Sequence, residues 1–240
     1  MKFFKKGNYS VRQAESADDM SVALALRGLC FGAAGGVADK FDACSTHVLV
    51  EEIKSGQAVA TFRMSMLDGA QVHTSYAAQY YDLAALAAFQ GPMLELGRFC
   101  IHPSHADPDI LRIAWAVLTA YVDEAGVEML FGCSSFAGTN ADPYRDAFAL
   151  LKARHLPPER WMPRIKAKDV FRYCVQEQRK PDLKKANATM PPLLRTYLMM
   201  GGWVSDHAVI DHQMDTLHVF TGLEISAIPP ARKKLLRALV

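Results

Sequence analysis

No stretch of this sequence approaches the run of about 20 apolar residues that a membrane-spanning helix needs. The N-terminus, MKFFKKGNYS, has basic residues but no apolar segment behind them, so no secretory leader is expected. Paired cysteines are also missing. The five present (Cys30, Cys44, Cys100, Cys133 and Cys174) are odd in number, widely spaced and contain no CxxC. That pattern argues against a disulfide framework or a zinc site and predicts buried free thiols. Neither sign of charge dominates, with 27 Lys+Arg against 25 Asp+Glu, which argues against bulk nucleic-acid binding. No repeat or low-complexity tract is visible. What remains is a 240-residue chain, half apolar and 22% charged, able to bury a core as one large domain.

Local patterns set out its elements. YSVRQA (Tyr9 to Ala14) reads as a first strand, and Ser16 with Asp19 as a capping box opening a helix to about Arg27. After an irregular stretch, HVLVEEI (His47 to Ile53) and AVATFRMSML (Ala58 to Leu67) form a hairpin around KSGQ. A strand follows at Leu94 to Ile101, then a helix over Asp109 to Ala125 closed by Gly126, and a buried strand over Glu128 to Phe136. Strand, helix, antiparallel strands and a strand–helix–strand unit predict an α/β fold with a mixed sheet. HVFTGLEIS (His218 to Ser226) reads as a last strand, and PARKKLLRALV as a short basic amphipathic tail.

Between Arg145 and Lys185 the balance shifts, with twelve Lys/Arg against five Asp/Glu. We expect a single domain over 1–240 with a basic helical insertion at about 137–200. Such a run is usually a solvated face.

Charges also stand where core residues belong. Glu95 and Arg98 lie in the apolar strand LELGRFCI, and Arg63 lies in TFRM. Asp39 and Asp42 flank Phe41 in the loop DKFD, and Arg27 precedes Phe31. A charge in a core position is costly unless it is paired. Each alone fits an edge residue or a structural ion pair.

Taken in order, Arg27-x3-Phe31, DKFD, HVLVEE, SGQAVATFR, GPMLELGRF and LFGCSSF resemble the ornithine-lipid-forming amino-acid N-acyltransferases of the GNAT superfamily. They are similar, more distantly, to acyl-homoserine-lactone synthases. The resemblance spans residues 20 to 225. It implies a GNAT fold, a mixed, mostly antiparallel and splayed sheet flanked by helices. It also implies transfer of a 3-hydroxyacyl chain from acyl carrier protein to the α-amine of an amino acid, most simply ornithine. Glutamine or another amino acid is the alternative acceptor, and acyl-homoserine-lactone synthesis an alternative reaction.

On this resemblance the thioester lies between the strands at Leu94–Ile101 and Glu128–Phe136, polarised by backbone amides of the first. Glu95 is the candidate base, and Asp39 and Asp42 orient the amine or the surrounding arginines. Arg27, Arg63 and Arg98 bind the acceptor carboxylate or brace the aspartates. Phe31 and Phe99 belong to the family motifs, and Ser134 or Ser135 are candidate hydrogen-bond donors to the donor arm. In a regular strand Glu95 and Arg98 point to opposite faces; a bulge near Gly97 would alter that.

The loop after that strand, HPSHADPD, contains no glycine. Acetyl-CoA enzymes of the superfamily use a glycine-rich loop there to hold the pyrophosphate at a helix N-terminus. The expectation is therefore no separate cofactor: the donor arrives on phosphopantetheine of an acyl carrier protein, whose acidic surface suits the basic run 145–185.

Other signals carry less. SDHAVIDHQMDTLH offers His207, His212 and His218 among aspartates. The spacing suits no helical metal pair, and a surface or strand-edge polar stretch is expected. GCSSF lacks the histidine and acid partners of a nucleophile. The chain is expected to be cytoplasmic, with its basic ends able to touch the anionic inner face of a bacterial membrane. A GNAT-like domain that only binds acidic partners is the non-enzyme alternative, and the retained Glu95, Asp39 and Asp42 argue against it.

Overall fold

A computed structural model describes residues 4–33 and 36–238. Its strands are β1 (Phe4–Lys6), β2 (Tyr9–Gln13), β3 (Thr46–Glu52), β4 (Ala58–Leu67), β5 (Tyr81–Asp82), β6 (Met93–Ile101), β7 (Met129–Ala137), β8 (Arg164–Ile165), β9 (Val170–Phe171), β10 (Trp203–Val204), β11 (Ala208–Asp211) and β12 (Thr216–Glu224). Its helices are α1 (Ala17–Phe31), α2 (Pro108–Ala125), α3 (Arg145–Arg154), α4 (Tyr173–Gln176), α5 (Leu183–Thr189), α6 (Pro192–Met199) and α7 (Pro230–Arg237).

The local signals act as expected at the helix ends. The Ser16 hydroxyl accepts from the Asp19 amide and the Asp19 carboxylate accepts from the Ser16 amide, both at 3.1 Å. Arg12 fastens the same carboxylate at 2.7 Å. The helix α1 continues four residues beyond the sequence expectation, to Phe31, and stops at Gly32. The end of α2 is the left-handed Gly126, φ 64°, a conformation open to glycine without steric cost.

The described residues form two compact units. The first takes the chain up to Met66, Leu96–Val127 and the segment from Pro230 onward. Its strands run in the order β1-β2-β3-β4-β6, with antiparallel neighbours from β1 to β4. Register places Val11 opposite Val50 and Val48 opposite Phe62, all buried. The His102 amide reaches the Val59 carbonyl at 2.8 Å where β6 ends beside β4.

The second unit takes Leu67–Glu95 and Glu128–Pro229, so it holds the first three residues of β6. Its strand order is β6-β7-β12-β11-β9, with β10 also on β12. The Pro92 carbonyl accepts from the amides of Glu128 and Met129, so β6 and β7 start side by side. The β7–β12 pair is antiparallel over nine residues, from Met129↔Glu224 to Ala137↔Thr216. Period-two alternation sends Phe131, Cys133 and Ser135, with Phe220 and His218, to one face. Ser134 and Phe136, with Leu217 and Val219, go to the other. Each face has its own apolar cluster: Tyr81, Met93, Phe131 and Trp203 on the first, Phe148, Tyr173 and Leu194 on the second. The basic segment folds as α3 to α6 with two short strands, and β9 joins the sheet beside β11.

Two expectations are corrected. Only Cys100 is a buried thiol; Cys30, Cys133 and Cys174 are half-buried and Cys44 is exposed, all of them free. The 205–218 stretch is surface only in part: His212, Gln213 and Asp215 are exposed, but β11 and the start of β12 bury His207, Asp211 and His218. Hairpin pairing folds these polar residues onto the apolar face beneath Tyr81. Residues 1–3 and 239–240, part of the basic ends expected at a membrane, lie outside the described residues.

Candidate active site

In the first unit, five charged side chains from four segments converge. Asp39 and Asp42 sit on a self-capped turn, where the Asp42 carboxylate accepts the Asp39 amide at 2.8 Å and the Asp39 carboxylate accepts the Phe41 amide at 3.0 Å. Arg27 from α1 donates to Asp42 at 2.8 Å. Arg63 from β4 donates to both Asp39 and Asp42 at 2.6 Å, and Arg98 from β6 donates to Asp39 at 2.9 Å. His47 completes the set, its Nε2 3.0 Å from the Asp42 carbonyl.

Burial sorts the three arginines. Arg27 and Arg63 have side chains 1% and 3% exposed, whereas Arg98 is 12% exposed and bonds the more open aspartate. Burial pushes the Asp39 carboxyl up, but Arg63 and Arg98 outweigh it and hold it at about 2. Asp42 is likewise held below the ordinary range, burial being outweighed by Arg27, the Asp39 amide and Arg63. Three guanidiniums thus gather on two carboxylates.

The strand irregularity expected near Gly97 falls on Arg98 itself, at φ 54°. A left-handed arginine is uncommon, and such backbone concentrates at functional sites. Gly97 has a different task, letting the Arg63 side chain cross close to its backbone. Phe99 stacks on Phe62 with ring centroids 5.5 Å apart, and Phe31 ends α1.

Glu95, in the second unit, is 95% buried. Its carboxylate accepts from the amides of Tyr76 at 2.9 Å and Ala77 at 2.8 Å. These open a single 3-10 turn, Ala77–Gln79, steadied by the Ser75 hydroxyl accepting the Ala78 amide at 3.1 Å. Ser134 is buried with its hydroxyl bonded by Thr221 at 2.9 Å, while Ser135 is exposed on the opposite face. From the same turn, the Tyr76 hydroxyl stands 3.4 Å from that of Tyr80, and Tyr80 donates to Asp211 at 3.2 Å. Sequence reasoning missed Tyr76, Tyr80 and Asp211. The aromatic run in SYAAQYY was the available signal, but nothing local connects it to Asp211, 131 residues on.

The N-terminus of α2, in the first unit, is already occupied by carboxylates. Asp107 accepts the Asp109 amide at 2.9 Å and the Tyr9 hydroxyl at 2.8 Å, and Asp109 adds an acid to the first turn. Among the described residues no group of three or more His, Cys, Asp or Glu is placed to hold a metal ion.

Comparison with known proteins places this architecture. The family model described as an acetyltransferase (GNAT) domain matches residues 33–116. An N-acyl amino acid synthase from uncultured soil microbes shares the fold with a TM-score of 0.51, at 12% identity, covering 93% of this chain and 96% of that one. The matched domain and the shared fold together define a GNAT-fold protein. The L-ornithine N(alpha)-acyltransferase of Rhodobacter capsulatus is 31% identical over 239 residues, 92% of each chain. That of Rhizobium meliloti is 28% identical over 244 residues, covering 92% of this chain and 81% of its own. The chain belongs to the family of L-ornithine N(alpha)-acyltransferases.

Proposed function

We propose that this chain moves a 3-hydroxyacyl group from the phosphopantetheine of an acyl carrier protein to the α-amine of ornithine, forming lyso-ornithine lipid. We read the whole chain as one acyltransferase domain. The observation that carries the reading is Glu95, a buried carboxylate held by two amides on β6 of a family member.

The chemistry asks for a base. An α-ammonium must lose a proton before its nitrogen can attack the thioester carbon. Glu95 takes that proton directly or through one water, and the free amine attacks the thioester carbon. The tetrahedral intermediate collapses as its second N–H proton passes to the departing sulfur, which leaves as the thiol of the carrier arm. The left-handed Arg98 distorts β6 without ending it. We read an amide of this distorted strand as the group that polarises the thioester carbonyl. Buried Arg27 and Arg63 brace the aspartates. Arg98, at the more open end, holds Asp39, the less buried of the two aspartates.

The donor follows from two features. Carboxylates at the α2 N-terminus repel a diphosphate, so a nucleotide grip is disfavoured there. In the basic run, Arg145, Arg160 and Arg179 are consumed by internal ion pairs, and Lys152 and Lys166 by backbone carbonyls. Arg154, Arg164, Lys168, Arg172, Lys180, Lys184 and Lys185 are exposed and make no ion pair among the described residues. These seven face an acidic carrier protein. No helix among the described residues is long and apolar enough to cross a membrane. The α7 helix, with Lys233, Lys234 and a 61% exposed Leu235, provides weak contact with anionic lipid from the cytoplasmic side.

Incubation with 3-hydroxyacyl carrier protein and single amino acids, followed by product mass, tests this reading. N-acylornithine is expected. Turnover with acyl-CoA but not with the carrier protein would overturn the donor assignment.

A further inference from the structure

Four acidic side chains are buried among the described residues: Asp42, Glu95, Glu177 and Asp211. Asp42 has Arg27 and Arg63, and Glu177 has Arg145 and Arg179. Asp211 differs from these two. At 6% exposure it makes no ion pair among the described residues. One carboxylate oxygen accepts the amides of Gln213 and Met214, both at 3.0 Å, and the other accepts the Tyr80 hydroxyl at 3.2 Å. Three neutral donors orient a carboxylate without cancelling its charge, and a buried charge without a counter-ion is costly.

The imidazole packed on Tyr80 does not supply that counter-ion. His218 packs edge-on against Tyr80, centroids 4.8 Å apart, and burial lowers its pKa to about 4, so it is neutral near pH 7. Its Nδ1 lies 3.2 Å from the Tyr81 hydroxyl. Its Nε2 is buried with no hydrogen-bond partner, in a side chain 98% buried. A negative charge lacking a cation and an imidazole nitrogen lacking a donor thus flank one tyrosine. Both deficits are met by a ligand that brings a cationic N–H group.

The place of this pair within the second unit says which ligand. Tyr80 is next to Tyr76, hydroxyl to hydroxyl at 3.4 Å, and the Tyr76 amide holds the Glu95 carboxylate. The two carboxylates stand at opposite ends of one two-tyrosine wall. We propose that Asp211, seated by Tyr80, receives the side-chain ammonium of the acceptor, selecting α-amino acids that carry a second, terminal amine. This rests on the reading of Glu95 as the base at the α-amine. It adds the discrimination of ornithine from glutamine or an apolar amino acid, because a site built to bond an ammonium rejects an acceptor that leaves its buried acid unpaired.

The test compares ornithine with norvaline, the same carbon skeleton without the terminal amine, on the wild-type chain and on Asp211→Asn. The asparagine oxygen still accepts the Gln213 and Met214 amides, so the hairpin turn is preserved while the charge is lost. Wild-type kcat/KM should favour ornithine over norvaline by at least tenfold, and Asp211→Asn should remove most of that ratio through KM for ornithine alone. Tyr80→Phe should weaken the ratio in part. Equal kcat/KM for both acceptors on the wild type, which needs no variant, overturns the assignment. So does an equal loss on both acceptors in Asp211→Asn. Acylation of neither amino acid refutes the underlying acyltransferase reading instead, and the inference falls with it.

Discussion

Arg63 crosses β6 directly over Gly97: a β-carbon built at residue 97 would stand 3.3 Å from Arg63 Nε and 3.6 Å from its Cγ. That close approach lets one guanidinium reach both Asp39 and Asp42 at 2.6 Å. Gly97→Val forces the arginine off its path. The expected cost is about 1–3 kcal/mol in stability, with a fall in activity larger than the melting shift alone accounts for. Thermal melting beside steady-state kinetics on the folded fraction decides it, and unchanged kinetics would separate the cluster from function.

Arg27 and Arg98 touch the same pair of aspartates with opposite consequences. Arg27→Ala leaves buried Asp42 with Arg63 alone, losing one charged hydrogen bond, and should destabilise the fold by about 1.5–3 kcal/mol, visible as a shifted urea midpoint. Arg98→Ala removes the most exposed guanidinium of the three. It should leave the midpoint nearly unchanged and lower kcat/KM about tenfold or more. If the two variants exchange these behaviours, the division of roles fails.

Glu95→Gln keeps one amide–carbonyl bond and sets its amino group against the second amide, costing about 1–3 kcal/mol of stability. As the base is lost, turnover should fall about 10²- to 10⁴-fold. Wild-type rates in the folded variant, measured by product mass, would remove Glu95 from the chemistry.

Stability should depend on pH through His218. Its ordinary pKa is 6.5 and burial lowers it to about 4 in the fold. Between those values the unfolded chain binds a proton that the folded chain refuses, so stability falls as pH drops from 6.5 toward 4. His218→Phe should flatten that slope, because the Tyr81 hydroxyl keeps its 2.8 Å bond to the residue-218 carbonyl. Asp39, held at about 2, acts only in the window below pH 4. Urea midpoints at pH 7, 5.5 and 4 that match the wild-type series would assign the acid limb to another group.

Lys184 and Lys185 extend the open part of the basic run at the start of α5. Lys184→Glu with Lys185→Glu should raise KM for the acyl carrier protein, most at low salt, and leave kcat unchanged. A KM indifferent to both charge and salt would move the docking surface elsewhere.

Much of the fold could be read locally. The capping box at Ser16, the glycine closing α2 and the alternation in β4 act over a few residues, and each element appears within a few positions of its expected bounds. The site residues of the first unit were also visible one by one, because a charge in an apolar strand stands out. Their pairing was not. Whether Arg27, Arg63 or Arg98 braces an aspartate depends on burial and on distances across chain separations of 15 to 59 residues.

Periodicity and caps are short-range, so the main strands and helices up to β7, the family motifs and the candidate acids and arginines could be read along the chain, while the short strands β5 and β8 to β11 could not. That Arg98 takes the left-handed conformation beside Gly97, that two amides hold Glu95, and that Asp211 is buried against Tyr80 emerged with the packed fold. Desolvation and charge pairing arise only when distant segments meet, and no local pattern encodes them.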